Sequence, residues 1–109
     1  MVKLESIKKS DHPEKKYVAE FCMCKGETKC EPKQRHHTYF GASGYKDFIQ
    51  YSKEGPEIAE QHKDAYIKRH STTEDWNKPT TAGALSRWIL WNKPTLKASV
   101  EDFKKRFSV

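Results

Sequence analysis

The stretch at residues 76–96, WNKPTTAGALSRWILWNKPTL, contains the pentapeptide Trp-Asn-Lys-Pro-Thr twice, beginning at Trp76 and at Trp91. Proline lacks an amide hydrogen, and its ring excludes the preceding residue from the helical region. No helix can therefore continue through Pro79 or Pro94. We interpret the two copies as structural breaks that separate helices. They are not units of a repeat architecture, because the sequences around them differ.

The residues after the two prolines predict where helices begin. A threonine hydroxyl at such a position accepts a hydrogen bond from an amide of the next turn and so caps the helix. We expect Thr80 or Thr81 to cap a helix over residues 82–91. Thr95 is expected to cap a helix over Leu96–Phe107. Apolar residues three and four positions apart give each segment a face directed toward the core.

A further helix of about fourteen residues is predicted earlier in the chain, within PEIAEQHKDAYIKRH at residues 56–70, with Pro56 ahead of its first turn. Proline is favoured in the first helical turn, and the acidic Glu57 beside it complements the positive end of the helix dipole. At helical spacing, one face of this segment carries Ile58, His62, Ala65, Tyr66 and Arg69.

The first third of the chain has the alternation and the β-branched and aromatic content of strands. We expect strands at residues 2–7, 17–23 and 35–40, the last two paired as a long-looped antiparallel hairpin. Gly41 and Gly44 are expected to adopt positive φ where the chain leaves the sheet. The sequence thus predicts an α+β fold in which a three-stranded antiparallel sheet is followed by three helices.

Length and composition indicate how this fold is organised. A chain of 109 residues is near the usual size of one domain, so we expect a single domain over residues 1–109. Its β-rich part, with the cysteine-containing hairpin, spans residues 1–44, and its helical part spans residues 45–109. Charged residues make up 33% of the chain and aromatic residues 12%, which indicates a folded domain with charged faces.

The three tryptophans are the largest apolar side chains of the helical part. Trp88 and Trp91 belong to the predicted helix at residues 82–91, whereas Trp76 follows a polar segment and is expected to reach the core from a loop. A buried indole removes about 150–250 Å² from water. We interpret all three as packing residues, with ligand stacking by Trp76 or Trp88 as the alternative.

The chain carries a net charge of +6, which favours anionic partners. Because phosphate contacts need lysine and arginine side chains, the basic residues of the predicted helices are candidate contacts for nucleic acid or another partner. A solvated helical face is the alternative. The candidates are Lys68, Arg69, Arg87, Lys97, Lys104, Lys105 and Arg106.

Three cysteines lie close together in the predicted hairpin. We expect reduced thiols or a metal site here, since the start of the chain lacks the apolar core of a secretory signal. Cys22, Cys24, Cys30 and His36 are the residue types that bind zinc, although their spacing differs from that of common zinc motifs. Free thiols beside exposed histidines are the alternative to zinc.

Other functional classes find little support in the sequence. GASG at residues 41–44 matches neither a nucleophile elbow nor a phosphate-binding loop, and we interpret it as a turn. No nucleophile and base occur at catalytic spacing, so we expect no enzymatic activity and no cofactor apart from the zinc alternative. No segment has the roughly 20 apolar residues of a membrane span.

The strings HTYFGASGYKDF and AYIKRHSTTEDWNKPTTAGALSRWILWNKPTLKASVEDFKKRF, within residues 37–107, resemble a small domain family encoded mainly by giant nucleocytoplasmic large DNA viruses. The chain differs from that family in its hairpin, which is longer and richer in cysteine. The order of strands, FG-x-x-G turn and helix also resembles the WGR type of DNA-binding module.

The resemblance implies a setting for the protein. A small basic member of such a viral family is expected in the virion and in the cytoplasm of the infected cell. There it would act as a structural minor capsid or cement protein that contacts other capsid proteins, including the major capsid protein. The alternative is sequence-independent binding of nucleic acid during packaging or replication.

Overall fold

The computed structural model describes residues 2–23 and 34–109, and it begins with an antiparallel sheet. The strands are β1 (Lys3–Lys9), β2 (Lys15–Cys22) and β3 (Arg35–Ala42), arranged in the order β1-β2-β3. Both neighbouring pairs are antiparallel, and a bulge lies in β1 between Leu4 and Ser6. The three predicted antiparallel strands are confirmed, although β1 and β3 end two residues later than predicted and β2 begins two residues earlier.

Four helices follow the sheet. They are α1 (Phe48–Ser52), α2 (Pro56–His70), α3 (Ala82–Leu85) and α4 (Leu96–Phe107), and α3 continues directly as a π-helical turn over Ser86–Leu90. The α+β class is confirmed. The expected helix count was too low by one, because α1 was not predicted.

α1 begins with a capping box formed by Asp47 and Gln50 at its N-terminus. The Asp47 carboxylate accepts a hydrogen bond from the Gln50 amide, and the Gln50 side chain accepts one from the Asp47 amide. Phe48 anchors the helix by lying in the protein interior. A helix of only five residues shows no helical periodicity in the sequence, which explains why it was missed.

The predicted caps at the two prolines are confirmed. The Thr81 hydroxyl accepts from the Ala84 amide and the Thr95 hydroxyl accepts from the Ala98 amide, each at 3.2 Å. Thr80 does not cap α3; its carbonyl instead accepts a hydrogen bond from Thr38 on β3 at 2.7 Å. Each copy of the pentapeptide therefore leads into one helix.

The core lies between one face of the sheet and the segment from α3 to α4. Phe21 on β2 and Phe40 on β3 pack with Leu85, Ile89 and Phe103, all of which are fully buried. Trp88 and Trp91 are half-buried and pack against this cluster. Burial of each large apolar side chain contributes about 1.5–3 kcal/mol to folding.

Gly41 allows β3 to pass close to the π-helical turn. Its φ is 80°, and a Cβ atom at this position would lie 2.7 Å from Cδ1 of Leu90. Gly44 also has positive φ, at 88°, but a Cβ atom there would meet nothing within 4 Å. Both glycines have the conformation expected of them, and Gly41 has a packing role in addition.

α2 is the most exposed helix of the fold. Only Ala59 and Tyr66 are buried, whereas Ile58, on the same predicted face as Tyr66, is exposed. α2 docks through Tyr66 in its C-terminal half and through Ala59 in its first turn, whereas Pro56, Glu57 and Ile58 face solvent. The molecule is elongated, measuring 44 × 27 × 26 Å, and no helix in the two described ranges is long and apolar enough to cross a bilayer.

Candidate functional site

Both tryptophans of the repeated pentapeptide stack on one tyrosine of α2. The ring of Trp91 lies 4.6 Å from that of Tyr66 with an interplanar angle of 7°, and the ring of Trp76 lies 6.4 Å away at 12°. Because Tyr66 is one of two buried residues of α2, these contacts dock the helix on the remainder of the fold. The repeat thus supplies two aromatic anchors as well as two helix starts.

The stack extends into α1. The ring of Tyr51 lies 6.3 Å from that of Trp91 in a tilted arrangement. Its other aromatic contact is a nearly parallel stack on the His62 ring, at 3.8 Å and 2°. α1, α2 and the end of the π-helical turn are therefore connected by one series of rings, which we call the aromatic column: His62, Tyr51, Trp91, Tyr66 and Trp76.

The guanidinium groups of Arg87 and Arg106 stack on tryptophans next to the aromatic column. The Arg87 guanidinium lies 4.1 Å from the Trp88 ring and 5.5 Å from the Trp76 ring. Arg106 covers Trp88 at 3.7 Å and forms an ion pair with Asp102 at 3.3 Å. Such cation–π contacts contribute about 0.5–2 kcal/mol each.

Arg87 is held further by a hydrogen bond from Nη1 to the Trp91 carbonyl at 2.7 Å. Burial, and secondarily the charge of Arg106, lower the pKa of Arg87 from its usual value. Arg87 and Arg106, which were predicted as partner contacts, both stack on Trp88, Arg87 as a half-buried side chain and Arg106 as an exposed one. Their role as partner contacts stays a prediction.

A cleft of about 620 Å³ lies beside the aromatic column, between α2, the connection after β3 and the start of α3. Tyr51, His62, Tyr66 and Trp91 of the column line it. Among its charged side chains, lysine and arginine outnumber the two carboxylates. The charged lining residues are Lys15, Lys16, Lys46, Arg69, Asp47 and Glu74.

Both carboxylates of the cleft have partners. Asp47 forms an ion pair with Lys16 at 2.9 Å, and Glu74 contacts the His70 imidazole through Nδ1. The Glu74 carboxylate also lies against Gly83 in the first turn of α3, where a Cβ atom would collide with it. Their negative charges are therefore compensated within the fold.

The basic side chains of the cleft are not all compensated. Lys46 forms an ion pair with the exposed Glu54 at 2.7 Å, and this hydrogen bond raises the pKa of Lys46. Lys15 and Arg69 are exposed and have no ion-pair partner among residues 2–23 and 34–109. The cleft thus presents two cations whose charge is available to a ligand.

Two tyrosines give the cleft its remaining character. Tyr66 is buried, and burial together with the nearby Glu74 carboxylate raises its pKa well above the usual value. Tyr45 precedes α1 and is 74% exposed, the most exposed large apolar side chain within the described residues. The cleft is therefore lined by one buried tyrosine ring, Tyr66, and one solvent-exposed tyrosine ring, Tyr45.

The other predicted contacts lie elsewhere. Lys97, Lys104 and Lys105 are exposed on α4 and do not line the cleft, whereas Arg69 does. Sequence reasoning missed Lys15, Lys46 and Tyr45 because they lie outside the predicted helices. The only feature of the local sequence that could have indicated them is the alternation of basic and aromatic residues near the start of β2 and after β3.

The cysteine cluster is described only in part. Cys22 is 1% exposed and disulfide-bonded, which differs from the expected reduced thiol. The antiparallel register pairs Cys22 with Arg35 and Phe21 with His36, so Cys22 and His36 belong to opposite faces of the sheet. His36 is exposed, and the neighbouring His37 bonds Glu20 at 2.7 Å.

Cys24 and Cys30 lie outside the described residues. In the part of the chain that the structure describes, no group of three or more histidine, cysteine or acidic side chains is arranged to hold a metal ion. The zinc site built on these cysteines stays a prediction from the sequence.

Comparison of the chain with protein-family models, with curated proteins and with solved structures finds no match.

Proposed function

We propose that the protein binds nucleic acid in the cleft beside the aromatic column, through the phosphate backbone and without reading base sequence. The observation that carries the proposal is the pair of exposed cations, Lys15 and Arg69, that line one cleft and lack ion-pair partners in the described ranges. Phosphate oxygens are the ligands that uncompensated lysine and arginine side chains bind in nucleic-acid complexes.

The rings of the same cleft support nucleic acid over a plain polyanion. A base can stack on a tyrosine while the adjoining phosphates contact cations, and this combination is typical of proteins that bind without sequence preference. Tyr45 supplies an open ring at this position. A cleft that bound only phosphate would need no such ring.

The proposed binding surface is the cleft and not the basic face of α4. Arg87 and Arg106 support the fold, and the lysines of α4 lie outside the cleft. The surface that the sequence predicted along the basic helices is therefore replaced by a site made from β2, α2 and the connection after β3. Arg69 is the only one of the originally predicted cations that belongs to both surfaces.

Binding of labelled DNA and RNA oligonucleotides of unrelated sequences, followed by fluorescence anisotropy at increasing salt, tests the proposal. We expect binding at 50 mM salt that is similar for different sequences and weakens as salt rises, because counterions are released from the phosphates. Absence of binding to every oligonucleotide at 50 mM salt would contradict the proposal.

As a second candidate, we propose the structural virion role that the family resemblance implies. The observation that favours it is the outer edge of β1, which pairs only with β2 among the described strands and so leaves backbone groups open to a strand from a capsid protein. Lys3, Lys8 and Lys9 lie on this strand and would limit non-specific pairing. Purified virions should then contain the protein in fixed ratio to the major capsid protein, and its absence from them would exclude this role.

A further inference from the structure

Resting on the proposed function, we propose that the cleft accepts a single strand of nucleic acid, with one unpaired base stacked on Tyr45 and the neighbouring phosphates contacted by Lys15 and Arg69. All three side chains line the same cleft. The proposal defines the class of ligand, single-stranded as opposed to double-stranded, and assigns one residue to the base and two to the backbone.

Tyr45 is the ring of the cleft that is free to stack on a ligand. Tyr51 is engaged by His62 at 3.8 Å, and Tyr66 is engaged by Trp91 at 4.6 Å. Tyr45 has no ring neighbour within the two described ranges and is 74% exposed. An open tyrosine ring offers a π-face to any base, independent of sequence.

The position of Tyr45 fits this role. It follows Gly44, whose positive φ of 88° turns the chain outward, and it precedes the ion-paired Lys46. The capping box of Asp47 and Gln50 then begins α1, so the backbone directly after Lys46 is held by hydrogen bonds. The ring is therefore presented from a backbone that is fixed on its C-terminal side.

The shape of the site favours one strand. The cleft volume of about 620 Å³ is that of a small-ligand pocket, for which the general range is about 300–1,000 Å³, and it can enclose a nucleotide. The bases of a duplex are paired and stacked inside the helix, so a duplex can offer the cleft its phosphates but not the face of a base. An unpaired base, by contrast, can stack on Tyr45 while its neighbouring phosphates contact the cations.

The number of phosphates that the cleft contacts determines how steeply the binding constant falls with salt. Two phosphate contacts on a single strand give a slope of about −1.4 in a plot of log K against log salt, since each contact contributes about −0.7. A slope much steeper than this would mean that cations outside the cleft carry the binding. The slope therefore reports how many phosphates the protein engages.

The test compares three labelled or competing ligands by fluorescence anisotropy: a twelve-nucleotide oligo(dT), a twelve-base-pair duplex and linear inorganic polyphosphate. We expect the full-length protein to bind oligo(dT) at least about tenfold more tightly than the duplex, given the stacking available only to unpaired bases. Tyr45→Ala should weaken oligo(dT) binding by about tenfold and leave polyphosphate binding unchanged, whereas Tyr45→Phe should retain oligo(dT) binding.

Tyr39→Ala is the matched control, because Tyr39 is also an exposed tyrosine but lies on β3 outside the cleft. This variant should bind oligo(dT) as the unchanged protein does. Equal affinity for duplex and oligo(dT), or no effect of Tyr45→Ala, would overturn the single-strand inference while leaving nucleic-acid binding in place. Failure of both oligo(dT) and the duplex to bind would overturn the proposed function itself.

Discussion

The rings of Tyr66 and Trp91 lie 4.6 Å apart and within 7° of parallel. This contact joins α2, whose other surfaces are largely exposed, to the end of the π-helical turn. It also explains why a tryptophan stands at the head of the second pentapeptide. The break that ends one helix places Trp91 where it can support another.

Loss of this stack should destabilise the fold. We expect Trp91→Ala to lower the free energy of unfolding by about 3 kcal/mol, since truncating a large aromatic side chain in a packed position typically costs 3–5 kcal/mol. Tyr66→Phe keeps the ring and its stack and should therefore destabilise the fold much less than Trp91→Ala does. Urea denaturation followed by circular dichroism measures both, and a neutral Trp91→Ala would mean that the stack does not hold α2.

The two threonine caps should contribute to stability independently. Thr81→Ala and Thr95→Ala each remove a hydroxyl that accepts from a helix amide, and each should cost about 1 kcal/mol. Thr80→Ala is the control, because the Thr80 contact to Thr38 uses its backbone carbonyl and survives the substitution. Chemical denaturation of the three variants checks the assignment; a larger loss from Thr80→Ala would transfer the cap to that residue.

The two glycines after β3 should differ in their tolerance of alanine. Gly44→Ala introduces only the strain of positive φ, about 1–2 kcal/mol. Gly41→Ala adds a collision with Leu90 and should be the more destabilising of the pair. Thermal unfolding of the two variants compares them directly, and equal melting temperatures would contradict the close packing of β3 on the π-helical turn.

Asp102 should make stability depend on pH at the acidic end. Burial alone raises the pKa of its carboxyl group, but the hydrogen bond from Asn92 and the charge of Arg106 outweigh burial and hold the pKa below 3.8. A carboxyl whose pKa is lowered by folding stabilises the protein above the unfolded pKa, and this contribution disappears as pH falls through the folded value.

The variant Asp102→Asn isolates that contribution. It should be less stable than the unchanged protein at pH 7, and the difference should shrink as pH falls below 3.8, where the native carboxyl also becomes neutral. Urea denaturation between pH 2 and pH 7 measures the difference. A gap that stays constant over this range would show that ionisation of Asp102 is not involved.

Local signals in the sequence predicted much of the fold. Proline, threonine and helical spacing identified the starts of α3 and α4, and alternation identified the three strands. The short α1 was missed because its capping box, Asp47 to Gln50, is not accompanied by a periodic apolar face. The π-helical turn was missed because it differs from an α-helix only in its hydrogen bonding.

The candidate site was less predictable because it is assembled from distant segments. Lys15 lies on β2 and Arg69 on α2, and nothing in either local sequence indicates that the two line one cleft. The stacking of Arg87 on Trp88 and Trp76 was not predicted for the same reason, since it depends on tertiary structure. The sequence identifies the basic residues, but only the folded structure shows which of them lack an ion-pair partner.

The central claim is that Lys15 and Arg69 bind the phosphates of nucleic acid, and charge reversal tests it most directly. The double variant Lys15→Glu/Arg69→Glu and the control Lys104→Glu/Lys105→Glu change the net charge equally, from +6 to +2, so their affinities for oligo(dT) at 50 mM salt can be compared. We predict that the cleft variant binds at least about tenfold more weakly than the α4 variant, because only the first loses its direct phosphate contacts. Equal weakening of both variants would contradict the account, since binding would then follow net charge and not the cleft.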